Sequence, residues 1–168
     1  MSTTVKFLCS FFISMVPLVE LRGGVPWGVA CGLPWYKVLP LCMLGNMIPV
    51  PFIFFFARKI LEWGKDKKYT AKFFTLCLEK GNKGGKALTE KANKLTKGSD
   101  LGLYLALLLF VGIPLPGTGA WTGTLGASIL DLDFKKSVIA VICGVLLAGT
   151  IMTVVSLLGV TAFVAAKS

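Results

Sequence analysis

Glu20 and Arg22 are the only charged residues between Lys6 and Lys37, and apolar sequence flanks them on both sides. An ionisable side chain in such a place costs several kcal/mol unless it is paired or wetted, about 2.5–3.5 kcal/mol for Arg on insertion scales, and usually has a function. Gly23 and Gly24 let the backbone turn tightly and expose its N–H groups, Pro26 suits the first turn of a following helix, and helix N-termini favour anions. Arg22 with Gly23 and Gly24 is therefore a candidate binding site for a phosphate or carboxylate. Glu20 has two candidate roles. It either pairs with Arg22 to hold the turn, or takes up and releases a proton during transport. Burial and a nearby Arg act on its ionisation in opposite senses, so the sequence leaves both roles open.

A second centre, Pro114 to Gly123, carries no charge. Gly117 and Gly119 allow close backbone approach, and the hydroxyls of Thr118 and Thr122 can bind a ligand or satisfy carbonyls freed by broken helix. A helix starting near Ala120 would aim its positive end inward. Trp121 stacks on a ligand or packs between neighbouring segments. Asn46 and Arg58 extend a polar path, although Arg58 at a helix end also fits a cytoplasmic anchor.

The chain has no His, no Ser-His or Cys-His pair and no phosphate-binding loop ending in Lys-Ser/Thr. An enzyme is not expected, and any energy source is an ion gradient or none. The five cysteines are scattered, four of them in apolar runs. They are expected to pack as small apolar groups, with no metal and no cofactor.

Positioning two such centres requires a membrane domain. Of 168 residues 55% are hydrophobic, and mean hydropathy is +0.77, above the roughly 45–50% apolar usage of soluble domains. The runs 38–57 and 138–166 are uncharged and long enough to cross about 30 Å of hydrocarbon. Pro49 and Pro51 are expected to kink the first of them. The segment 7–19 has the length of a signal-peptide apolar region, but no small-x-small cleavage site follows, so it is expected to stay in the mature protein.

The remaining apolar stretches come as pairs of short arms, 7–19 with 25–36 and 101–113 with 120–130, each pair flanking one centre. An arm covers roughly 16–20 Å as a helix and cannot cross alone. Each pair is one long broken span or a re-entrant hairpin. Residues 58–100 hold 12 of the 18 Lys and Arg against 5 acids, which places that segment in the cytoplasm. A hairpin at 101–130 puts Lys135 and Lys136 on the same side, so hairpins are preferred. The expected fold is all-α and membrane-integral, a single domain of two inverted repeats. Repeat 1 (1–58) is hairpin 7–36 plus span 38–57, and repeat 2 (101–168) is hairpin 101–130 plus span 138–166. A basic cytoplasmic linker, 59–100, joins them. Val16-Pro17-Leu18 with Gly28 and Gly45 is echoed by Ile113-Pro114-Leu115 with Gly123 and Gly144, and inverted repeats with broken helices are a recurring plan of transporters.

Within the linker, Leu88, Ala92 and Leu95 have helical spacing and Phe73, Phe74, Leu76 and Leu78 form a second apolar patch. Two short amphipathic helices on an anionic inner leaflet are expected, or a solvated loop obeying the positive-inside rule. The excess charge of +10 lies beside membrane spans, which argues against nucleic-acid binding. Gly144, Gly149 and Gly159 offer close-packing faces on the last helix, so a homodimer is expected.

At Glu20-Leu21-Arg22-Gly23-Gly24-Val25-Pro26 and at Pro114-Leu115-Pro116-Gly117-Thr118-Gly119-Ala120-Trp121-Thr122-Gly123 the chain resembles the small multidrug export proteins, over nearly its whole length. That family looks like a branch of the DedA superfamily, which is thought to use two facing inverted hairpins to translocate lipids such as undecaprenyl phosphate, with proton coupling. The resemblance implies that Glu20 is the hairpin acid and that Phe54 to Arg58 matches an aromatic-x-x-x-Arg element. The Pro and second Arg expected after that element are absent, since Lys59, Ile60 and Leu61 follow, and Arg22 is placed differently from the superfamily's later arginine.

The expected protein is thus a multi-pass transporter or flippase of the inner (plasma) membrane. In it Arg22, the two glycine-rich centres and Arg58 hold an anionic lipid head group, and Glu20 couples a proton. A small multidrug exporter of cationic compounds is the alternative. A non-transporting scaffold is the second alternative, and it predicts tolerance of Glu20→Gln and Arg22→Gln.

Overall fold

The computed structural model describes residues 2–17, 19–57, 79, 83, 85–94, 100–115 and 117–167. Among them there is no strand. The helices are α1 Thr3–Met15, α2 Glu20–Ala30, α3 Trp35–Met47, α4 Pro49–Phe52, a π-helical segment Ile53–Ala57, α5 Asp100–Gly112, α6 Ala120–Ile129 and α7 Phe134–Lys167.

Two stretches are long and apolar enough to cross a bilayer, Trp35–Phe56 with 22 residues and Phe134–Ala162 with 29. They overlap the two uncharged runs, beginning slightly earlier and ending slightly sooner. The first is assembled from three pieces, because Pro49 and Pro51 each remove an N–H from the helical ladder and free a carbonyl one turn back. The chain passes from α3 to α4 at Ile48 and into π geometry at Ile53. Along α7, large apolar side chains such as Ile139, Leu146, Val154 and Leu158 point outward, while Val141, Val145 and Ala148 join the core. An outward apolar surface of this kind suits lipid.

The short arms fold back on each other. A Cβ on Gly24 would stand 2.0 Å from Ser14 Oγ, one on Gly28 would stand 2.7 Å from Ser10 Oγ, and Lys6 Nζ donates to Cys31 O at 2.8 Å. The partner number falls as the glycine number rises, so α1 and α2 run antiparallel. A Cβ on Gly123 would likewise lie 2.8 Å from Val111 and 3.2 Å from Leu107, which brings α6 back along α5. The two arms of each pair thus lie side by side.

Each first arm lies on the span of its own half through a glycine. A Cβ on Gly45 would reach 2.7 Å from Phe11 O, and one on Gly144 would reach 2.8 Å from Leu108 O. Each second arm packs on the span of the other half, α2 on α7 and α6 on α4 and the π segment. There Ser128 Oγ donates to Phe54 O at 2.6 Å. Small residues let backbones approach this closely where no water drives association.

Two expectations change. In the basic linker the helical stretch 85–94 sinks Leu88 and Ala92 into the protein, each 0% exposed. Its apolar stripe is therefore spent on the protein core rather than on a leaflet. The patch 73–78, Leu95 and Arg58 lie outside the described residues. On the last helix, a Cβ at Gly144 would meet α5 and one at Gly149 would meet Leu39 of α3, while Gly159 faces open space. Two of the three glycines expected at a dimer face are thus used within the chain. Cys42 is a buried free thiol, and Cys9, Cys31 and Cys143 are free as well.

Candidate functional site

The site forms where the two turns meet. Helix α6 starts at Ala120, after Gly119 with φ +136°, and its first N–H groups have no partner inside the helix. Glu20 supplies one from 100 residues away. Ala120 N–H donates to Glu20 Oε2 at 3.1 Å and Trp121 N–H to Glu20 Oε1 at 3.0 Å. A carboxylate at a helix N-terminus is favoured both by the charged hydrogen bonds and by the dipole. Glu20 is 3% exposed, and a Cβ on Gly119 would lie 2.2 Å from its Oε2. Glycine at 119 is therefore required twice, for the left-handed backbone and for the space the carboxylate fills.

Glu20 itself has φ +52°, a conformation that costs a non-glycine residue roughly 1–2 kcal/mol. The strain lies at the first residue of α2, where it aims the carboxylate at α6. Arg22, on the same turn, reaches the other side of the second centre. Its Nη2 donates to Thr118 Oγ1 at 2.9 Å and its Nη1 to Leu115 O. The Thr118 hydroxyl also lies 2.9 Å from the Ile113 and Leu115 carbonyls. The anion of the first turn thus takes the amides that open α6, and its cation takes the Leu115 carbonyl and the Thr118 hydroxyl past the end of α5.

The sequence-derived site residues sort by this geometry. Glu20, Arg22, Thr118, Gly119 and the backbone of Trp121 come together. Gly117 shapes the turn with φ +87° and nothing within 4 Å of its would-be Cβ. Thr122 is buried one residue further along α6. Gly23 and Gly24 fall elsewhere, because α2 begins before them, at Glu20, and Pro26 lies inside the helix. Gly23 N–H is spent on Val19 O, and Gly24 serves the close approach to α1. They form no exposed amide turn.

One polar side chain at the site carries more weight than the sequence assigned it. Asn46 of α3 is 1% exposed, its side chain acts on the Glu20 carboxyl, and both of its amide atoms are buried. Trp121 Nε1 and Thr124 Oγ1 on α6 are also buried and unpartnered. The available signal for Asn46 was a lone amide inside an uncharged run. Among the described residues no group of three His, Cys, Asp or Glu could hold a metal.

A family model described as "Putative small multi-drug export protein" matches residues 20–151, a range that opens on Glu20 and contains both centres. No curated protein and no solved structure matches the chain.

Proposed function

Because the chain belongs to that family of small multi-drug export proteins, we propose that it is a membrane transporter whose gate is the bond between Glu20 and the start of α6. The observation carrying this reading is that the chain's own carboxylate fills an anion position, with Arg22 beside it on the same helix turn. Hydrogen bonds to charged groups contribute about 1.5–3 kcal/mol each. Protonation of Glu20 removes the charge, weakens both bonds and leaves Arg22 without its counter-charge. The vacated amides and the guanidinium then suit a phosphate or carboxylate head group.

A lipid phosphate fits this site best, since the outward apolar faces of the spans give its tail a place to lie. In this scheme the two arm pairs are re-entrant hairpins of an inverted repeat, entering from opposite sides and meeting near the midplane. The matched approaches at Gly45 and Gly144 support that plan. The basic segment faces the cytoplasm, the membrane is the inner (plasma) membrane, and the working unit is a homodimer. The DedA relationship belongs to the same proposal.

The test is flipping of a labelled polyprenyl phosphate in proteoliposomes under an imposed pH gradient, for the native protein, Glu20→Gln and Arg22→Gln. Flipping that follows the gradient and fails in both folded variants supports the reading. Folded native protein that neither binds nor flips the lipid contradicts it.

A second reading, export of cationic compounds, is favoured by the family description. There Glu20, released from α6, holds a cation and a proton in competition. Transport of a lipophilic cation, with no response to lipid phosphate, would select it.

A further inference from the structure

Helices α5 and α7 run side by side in the same direction. A Cβ on Gly144 would meet Leu108 O and one on Gly112 would meet Leu147, so rising numbers on one helix face rising numbers on the other. Both therefore begin at the same end, at Asp100 and Phe134, and between their first turns lies an open groove of about 260 Å³. Its walls are apolar, with Leu101, Leu105 and Leu108 from α5 and Ile139 and Ala140 from α7. Leu101 and Ile139 are 66% and 62% exposed. Beside a helix long and apolar enough to cross a bilayer, the medium that covers such walls is hydrocarbon.

The two ends of the groove differ. The outer end, by the helix starts, carries Lys136 and Tyr104, and the inner end carries Cys143. Cys143 follows Lys136 by two turns, roughly 10 Å, which is room for the upper part of an acyl chain. The Lys136 ammonium stands 5.8 Å from the centre of the Tyr104 ring, and the Tyr104 hydroxyl accepts from Asp133 N–H at 3.2 Å. The neighbouring acid is engaged at the helix start, where Asp133 Oδ1 accepts from Lys136 N–H at 3.0 Å. An aromatic face attracts an ammonium but offers it no oxygen. A head-group phosphate would supply one at this end, where Lys and Tyr are the usual residues of a membrane boundary.

We propose that this groove binds an anionic phospholipid, one acyl chain lying between α5 and α7 and the phosphate resting on Lys136. The apolar walls alone would take the tail of any lipid. The cation at one end selects for net negative charge by about fivefold, the effect of one lysine at a membrane surface. Lys135, its exposed neighbour, lies outside the lining. The site is separate from the centre at Glu20, because its lining ends at Leu108 and Cys143, before α5 ends at Gly112. Binding there needs no transport, so it is tested independently of the reading above.

Cys143 is an exposed free thiol inside the groove, so its alkylation reads occupancy. The full chain in mild detergent is treated with N-ethylmaleimide while dioleoylphosphatidylglycerol or dioleoylphosphatidylcholine is titrated in, and each cysteine is followed by peptide mass spectrometry. The two lipids share their tails and differ in net charge. Cys9 and Cys31, outside the lining, report any general effect of the micelle, and Cys143 is read relative to them. The anionic lipid should protect Cys143 at about one fifth of the concentration that the neutral lipid needs. Lys136→Gln should remove that preference, while Lys136→Arg and Lys135→Gln should keep it. Both lysines are exposed, so these variants should fold, and thermal unfolding checks that they do. Equal protection by the two lipids, no protection by either, a preference that survives in Lys136→Gln, or one lost as fully in Lys135→Gln would overturn the proposal.

Discussion

The two turns of the molecule are built from opposite materials. The first, around Glu20, contributes charged side chains; the second, leading into α6, contributes the amides of Ala120 and Trp121, the Leu115 carbonyl and the Thr118 hydroxyl. Neither is complete alone. Glu20 and Arg22 without the second turn would be charges in an apolar phase, and the second turn without them would leave the first N–H groups of α6 bare. The outer parts of the two halves, by contrast, resemble each other, with Gly45 and Gly144 meeting a backbone carbonyl in the same way. Packing is duplicated where it supports the fold, and the halves diverge where they meet. Such divergence leaves a polar lock where the two turns meet.

The comparison breaks most completely at Gly119. Gly119→Ala places a Cβ on the carboxylate and a side chain at φ +136°, so Glu20 is expelled from α6. Transport should be lost, and thermal unfolding in detergent should show destabilisation well beyond the roughly 1 kcal/mol that marks ordinary backbone substitutions. Glu20→Gln comes next. A neutral amide keeps the shape but loses the charge and sets NH₂ against N–H, which should cost about 1.5–3 kcal/mol in the same measurement.

Arg22→Lys sharpens the account further. Lysine keeps the charge but not the fork that spans Leu115 O and Thr118 Oγ1. A loss of about 1 kcal/mol with weakened, not abolished, substrate binding is expected, measurable by titration calorimetry. Gly117→Ala should have the smallest effect. Its φ of +87° strains alanine, but there is open space around the Cβ, so about 1 kcal/mol of stability and little of transport should be lost.

The long spans were legible in the sequence because a run without charge has one economical place, and the structure puts helices there. The short arms were legible as pairs, since 11 to 13 residues cannot cross a bilayer alone. The start of α2 was not legible. Gly23, Gly24 and Pro26 suggested a turn followed by a helix, but in apolar surroundings glycine also serves close helix contact. The turn is made instead by Glu20 in a left-handed conformation. Arg22 and Glu20 were identifiable as site residues by their cost in lipid. Their partners were not, because Leu115, Thr118, Ala120 and Trp121 lie about a hundred residues away and three of these four offer only backbone atoms. The linker stripe Leu88 and Ala92 had the right period, but periodicity does not say whether protein or lipid covers it.

The carboxylate of Glu20 holds the start of α6, and in the proposed transport cycle it lets go when protonated. Solid-state NMR of lipid-embedded protein, with ¹³C at the Glu20 carboxyl and ¹⁵N at Ala120 and Trp121, reads that bond directly. The account predicts strong carbon–nitrogen dipolar coupling to both nitrogens at high pH and its loss at low pH, as the carbon moves away. Coupling that persists unchanged once the carboxyl shift reports protonation would contradict it.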